Sequence, residues 1–229
     1  MTDLILTPPL VALIAAVGGY LLGSIPFGVL TTSLAGLNIR EVGSGNIGAT
    51  NVLRTGRKDL ALITLVGDSG KGALAVLLAY LLLGQQPEST RQMGMALAGA
   101  AAFLGHCFPV WLKFNGGKGV ATFFGTLIAA SWPVGLAAGA VWLLVAFVLR
   151  ISSLSALVAA AMAAPLALLL DQPHAFAVMA LFMALLIYVR HAENIKRLLS
   201  GTEPRIGQKK TQAAEAEGST PPPSSDEPA

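Results

Sequence analysis

The sequence predicts an all-α integral membrane protein with seven transmembrane helices, its N-terminus outside (periplasmic) and its C-terminus cytoplasmic. Three observations carry that expectation. Of 229 residues, 54% are hydrophobic and 12% charged, with a mean hydropathy of +0.68, whereas soluble domains run near 25% charged. Apolar runs of membrane length recur, a crossing helix needing about 20 such residues. When seven spans are drawn, all of the 15 Lys and Arg except Arg91 and Lys71 fall on one side, as the positive-inside bias requires. A six-span reading would put Arg150 and the basic C-terminal segment on the wrong face.

The elements follow in chain order. The first nine residues carry Asp3 and no Lys or Arg, so 10–34 reads as a retained span and not a secretory signal. Gly23-Ser24-Ile25-Pro26-Phe27-Gly28 interrupts it with a kink buried against neighbouring helices. A polar loop at 38–59 precedes a span at 60–83, and another span covers 93–110. The apolar region 120–149 is too long for one crossing and short for two; Ser131-Trp132-Pro133 near its middle reads as a turn. Spans at 154–170 and 175–189 complete the set. Small residues, including Gly135-xxx-Gly139, suit close packing in lipid. The domain expected is 1–207, followed by a disordered cytoplasmic tail at 208–229, polar and bearing Pro221-Pro222-Pro223. One cysteine, Cys107, excludes a disulfide framework and reads as a packing residue.

Three polar stretches carry the chemistry. In Gly116-Gly117-Lys118-Gly119-Val120-Ala121-Thr122, glycine amides can approach an anion closely and form an anion-binding nest. Lys118 adds a charge, and a helix starting near Val120 aims its positive end at the same place. A flexible loop with one solvated lysine is the plainer alternative. The stretch Gly43-Ser44-Gly45-Asn46-Ile47-Gly48-Ala49-Thr50-Asn51 contains a formal G-x-G-x-x-G, but the dinucleotide motif needs a preceding strand, and an apolar span stands there. What remains is a second oxyanion surface built from Ser44, Gly45, Asn46, Thr50 and Asn51, with Arg54 nearby, or else a turn obeying the charge bias. In the third stretch, 191–203, a continuing helix puts His191, Asn194 and Leu198 on one face. His191 suits proton transfer near neutral pH; an interfacial histidine is the bland reading. His106 is a second proton-transfer candidate or a helix-end residue, and His174 lies at the opposite face. Asp68 and Lys71, inside a span at i, i+3, are costly there and default to a functional role: they neutralise one another or border the anion pocket from below. Three scattered histidines without carboxylate pairs make a poor metal site, so neither metal nor cofactor is expected.

Together these stretches resemble the bacterial acyl-phosphate-dependent glycerol-3-phosphate acyltransferases, the PlsY family. Gly23 to Phe27 and Asp68-Ser69-Gly70-Lys71-Gly72 are similar too, so the resemblance spans nearly the whole chain except the tail. It departs at Asn115, where a basic residue or glycine is expected, and in the Pro-rich tail. The resemblance implies a seven-span enzyme of the bacterial inner (cytoplasmic) membrane with a cytoplasmic active site. It implies transfer of a fatty acyl group from acyl phosphate to the 1-hydroxyl of glycerol 3-phosphate, giving lysophosphatidate and phosphate. Its functional positions correspond to Ser44, Arg54, Lys118 with its glycines, His191 and Asn194. On that chemistry His191 or a substrate phosphate oxygen is the base, and Asn194 orients substrate. Lys118 or Arg54 stabilises the oxyanion, worth about 3–4 kcal/mol per good donor. Thr122 is a further candidate beside the cradle. Expected partners are the two substrates and membrane lipids, with no nucleic acid and a monomeric state. A small transporter of a phosphate-bearing solute is the competing class; it would show related halves with similarly broken helices, and no such repeat is visible. A non-catalytic lipid-binding scaffold would not need Ser, Asn, Lys and His clustered on one face.

Overall fold

The structure, a computed structural model, describes residues 7–207. These form ten α-helices and three short 3-10 turns, with no strand among the described residues: α1 Pro8–Gly23, α2 Phe27–Leu34, α3 Ala49–Val52, α4 Lys58–Leu82, α5 Glu88–Cys107, α6 Val120–Ala130, α7 Trp132–Leu149, α8 Ser152–Leu169, α9 His174–Arg190 and α10 Ala192–Leu199. The tail expected at 208–229 lies outside the described residues. Proline marks several boundaries. Pro8 and Pro9 open α1, and Pro133 sits in the first turn of α7, where a missing N–H costs nothing. Pro26 separates α1 from α2 because it has no N–H and restricts Ile25 before it. Ser131 breaks the apolar run into α6 and α7, as the sequence suggested.

Among the described residues, five segments are long and apolar enough to cross a membrane: Pro8–Leu34, Lys58–Leu82, Glu88–Leu112, Trp132–Leu149 and Ser152–Leu169. A sixth counts if α9 and α10, bent by 64° at His191, are taken as one span. Helix α6 has 11 residues, about 16 Å at 1.5 Å per residue, short of a hydrocarbon core of about 30 Å.

Helix α5 is the centre, packed by α1, α4, α6 and α9. Lipid supplies no hydrophobic drive between helices, so close van der Waals contact holds them. A Cβ on Gly19 or Gly23 of α1 would run into the α5 backbone at Ala98 or Ala102. A Cβ on Gly125 of α6 would likewise strike the α4 backbone at Ser69. In the expected Gly135-xxx-Gly139 pair only Gly135 is used: it lies against Ile128 across the Ser131 turn, while Gly139 faces open space. Phe147, Leu143 and Leu144 of α7 point outward, the lipid-facing side of the bundle.

Candidate active site

The 38–57 loop is held from inside by one residue. Buried Asn51 donates from Nδ2 to the carbonyls of Ile39, Val42 and Asn46 at 3.3, 2.9 and 2.8 Å. Its Oδ1 accepts from the Ser44 amide at 3.0 Å and from Ser44 Oγ at 3.1 Å. Both amide hydrogens are therefore engaged, so Asn51, expected as a phosphate contact, is instead the internal tie of the loop. Ser44 and Thr50 are exposed on it, Asn46 is half-buried and Gly45 turns with φ 67°. Arg54 folds back over Gly43, where a Cβ would meet Arg54 Cδ at 3.0 Å. The guanidinium therefore lies beside Gly43, next in sequence to Ser44. Arg40 joins this loop to the next by donating to the carbonyl of Asn115.

The glycine loop lies directly on the end of α5. The Gly116 amide donates to the Cys107 carbonyl and the Gly117 amide to the His106 carbonyl, each at 3.1 Å. These are end-of-helix carbonyls that would otherwise lack partners. Arg190 grips the other side, donating to the Gly116 and Gly117 carbonyls at 2.9 and 3.0 Å with its guanidinium 5.3 Å from the Phe108 ring centre. This corrects the expected nest: the Gly116 and Gly117 amides are committed to α5 and not open to an anion. The open donors come afterwards, in Lys118 and the first-turn amides of α6, which have no intrahelical partner. Gly119 caps that helix at φ 83°, and the side chain of Thr122 is not among the donors. It is buried with its methyl towards Gly72 of α4 and its hydroxyl unpartnered, so it belongs to the α4–α6 interface.

The third stretch is not one continuous helix. α9 ends at Arg190, and α10 leaves at 64°, which replaces the expected single face through Leu198. The break still brings the two named residues to the glycine loop. His191 is 3% exposed, with Nδ1 2.8 Å from the Ile187 carbonyl. A carbonyl only accepts, so Nδ1 carries the proton and Nε2 keeps the lone pair of the neutral ring. Lys118 Nζ donates to Asn194 Oδ1. Asn194 Nδ2 in turn donates to Glu203 Oε1 at 2.5 Å. The same oxygen accepts from Ser153 Oγ at 2.6 Å, and Oε2 from Arg197 Nε at 2.6 Å.

Electrostatics tie these groups together. Burial, then the charge of Arg197, pulls Lys118 below the usual lysine range, with Glu203 opposing and Arg190 and Arg54 adding to the shift. Burial pushes Glu203 up, but hydrogen bonds from Ser153, Asn194 and Arg197 outweigh it and hold the carboxyl below its usual range. His191 feels the charges of Lys118, Glu203 and Arg190. Lys118 thus touches Asn194 and lies within electrostatic reach of Arg54 and His191, while Ser44 is held by Asn51 on the neighbouring loop. Sequence reasoning missed Arg190, Arg197, Glu203 and Ser153. Glu203 sat inside the third stretch and Arg190 adjoined His191, so proximity in sequence was the available signal.

Asp68, Lys71 and His106 form a separate cluster behind the loop. Asp68 Oδ1 lies 2.8 Å from Lys71 Nζ and 3.5 Å from His106 Nδ1. Lys71 donates to the Ile25 carbonyl at 2.7 Å, two residues past the C-terminal end of α1, where a cation is favoured. His106 has its Nε2 edge against Gly117 and is screened from the pocket by that residue. Among the described residues no group of three or more His, Cys, Asp or Glu is placed to hold a metal.

The family model described as glycerol-3-phosphate acyltransferase matches residues 13–201. A glycerol-3-phosphate acyltransferase of Caulobacter vibrioides is 64% identical over 211 residues, covering 92% of this chain and 94% of that protein. One of Dinoroseobacter shibae is 61% identical over 211 residues, covering 92% and 100%. The crystal structure of PlsY (YgiH), an integral membrane glycerol 3-phosphate acyltransferase in its glycerol 3-phosphate form, superposes with a TM-score of 0.78 at 39% identity, covering 86% of this chain and 96% of that one. The transporter reading finds no support in these matches. Matched over most of its length by the family model and by such near relatives, the chain belongs to the glycerol-3-phosphate acyltransferase family.

Proposed function

We propose that this protein transfers a fatty acyl group from acyl phosphate to the 1-hydroxyl of glycerol 3-phosphate in the bacterial inner membrane. The observation that carries the reading is the meeting of His191 with the Lys118–Asn194–Glu203 chain, among Arg54, Arg190 and Arg197, at one end of a membrane bundle. Two phosphorylated substrates need that many cations, and an acyl chain needs lipid-facing helices beside them. The hydroxyl oxygen attacks the acyl carbon as its proton passes to His191 Nε2. The new ester C–O bond forms, the acyl–phosphate C–O bond breaks, and inorganic phosphate leaves. Lys118 and the first-turn amides of α6 face the carbonyl oxygen as charge grows on it, Ser44 and Arg54 hold a phosphate, and Asn194 orients the acceptor.

Seven crossings with the N-terminus outside accompany this reading. It is supported by the Ser131 turn, which sets Ile128 beside Gly135 and lets α6 and α7 run as a hairpin, and by the distribution of Lys and Arg. Membrane lipids surround a single chain that works as a monomer without a cofactor. Purified protein is incubated with acyl phosphate and glycerol 3-phosphate, and phosphate release is followed. Release that needs both substrates, and that acyl-CoA or acyl-carrier protein does not support, is expected. Equal rates with acyl-CoA would remove the acyl-phosphate reading. Near wild-type turnover in His191→Ala at saturating substrates would remove the histidine base and leave a substrate phosphate oxygen in that role.

A further inference from the structure

The cluster behind the glycine loop has no part in the chemistry above, yet it touches the loop at the residue next to Lys118. We propose that His106, set by Asp68, is a positioning residue for acyl transfer: its ring is the surface against which the Gly117–Lys118 backbone is moulded. The inference rests on the acyltransferase reading and adds to it a residue that never meets substrate.

Four observations converge. The ring is 3% exposed and its Nδ1 is buried without a hydrogen-bond partner, so packing and the charge of Asp68, whose Oδ1 lies 3.5 Å from that nitrogen, set its orientation. Asp68 is fixed in turn by Lys71, itself anchored on the Ile25 carbonyl. On the opposite edge, a Cβ at Gly117 would overlap Nε2, and Cε1 would be 2.8 Å away. Gly117 is not among the residues with positive φ, so any L-residue could adopt its backbone; what excludes a side chain there is the imidazole. Finally, the Gly117 amide is bonded to the His106 carbonyl while Arg190 holds the Gly117 carbonyl. The segment is pinned from both faces, and the ring fixes how close it comes to α5. Lys118 starts from that pinned point and reaches Asn194.

The experiment is a double-mutant cycle of Gly117→Ala and His106→Asn. Asparagine can place its amide nitrogen where Nδ1 was, facing Asp68, but has no atoms where Nε2 and Cε1 were. In Gly117→Ala the loop or ring must move by about 1 Å, a displacement that costs about 100-fold in rate when it shifts a catalytic group. His106→Asn alone should lower kcat/KM for glycerol 3-phosphate about tenfold. The double variant should be at least about tenfold better than Gly117→Ala, because the methyl now has room; independent sites would instead multiply to about 1,000-fold loss. Multiplicative losses, or wild-type kinetics in His106→Asn or in Gly117→Ala, would overturn the proposal.

Thermal unfolding of the same four substrate-free proteins reads the contact without chemistry. Coupling in Tm but not in kcat/KM reduces His106 to packing and overturns the positioning role. Should wild-type protein show no turnover of these substrates, the functional reading fails and the positioning role with it, while coupled Tm values still report the ring–loop contact. If His106→Asn does not fold, His106→Gln replaces it in the same cycle with the same expected recovery.

Discussion

Glu203 gives the sharpest test of how Lys118 is held. Its Oε1 accepts from Asn194 and Ser153, and its Oε2 accepts from Arg197. In Glu203→Gln the carbonyl oxygen can replace Oε1 and keep the first two bonds. The new Nε2 then faces Arg197 Nε–H, donor against donor. One hydrogen bond to a charged group is lost, worth about 1.5–3 kcal/mol. The Arg197 side chain is 39% exposed and can turn to water, so the lower figure applies: about 1.5 kcal/mol, or about a tenfold fall in kcat/KM. Glu203→Ala removes all three bonds and leaves Asn194 free to rotate away from Lys118, so its loss should be at least tenfold larger again. Phosphate release at saturating acyl phosphate measures both, with Tm recorded for each variant. The pH dependence has a definite sign. The folded carboxyl lies below the ordinary glutamate value of 4.5, so its stabilising contribution is complete above that value and is lost as pH falls through the lowered one. The Tm gap between wild type and Glu203→Gln should therefore close on acidification below about pH 4.5. A Glu203→Ala enzyme as active as Glu203→Gln, or a gap that widens in acid, would refute the role of Glu203 in holding Asn194 against Lys118.

Three further outcomes follow from the same contacts. Gly119→Ala places a Cβ against the Phe103 ring at φ 83°; left-handed backbone alone costs about 1–2 kcal/mol, so Tm should fall and turnover should drop with it. Arg190→Lys keeps the charge but cannot bridge the Gly116 and Gly117 carbonyls as a fork, so kcat/KM should fall about tenfold with the charge-dependent salt profile unchanged. Asp68→Asn leaves Lys71 buried without its counter-charge, a loss of about 3–5 kcal/mol that thermal unfolding should register. Asp68→Asn with Lys71→Met should recover much of that loss, because the uncompensated charge goes too.

Composition alone set the class of protein, since 54% hydrophobic residues in runs of membrane length leave only a helical bundle able to satisfy the backbone in lipid. The sequence also placed the helix breaks at Pro26, at Ser131 and at the start of α6, because proline and polar turn residues act locally. Ser44, Arg54, Lys118, His191 and Asn194, the residues proposed for the site, stood out as residue types grouped in three polar stretches. What each one touches was not. A glycine looks the same in sequence whether its amide meets an anion or its α-carbon meets a histidine ring, so only tertiary structure could show that Gly116 and Gly117 are glycines because α5 lies beneath them. Asn51 likewise read as a ligand and proved to be the loop's own tie, and a helix that pattern would continue through His191 turns by 64° there. Arg190, Glu203 and the Asp68–His106 contact depend on residues 73, 50 and 38 positions away respectively. Contacts at such separations are set by how helices pack, and helix packing in lipid is decided by which small residues face one another, which a single chain read in one dimension does not disclose.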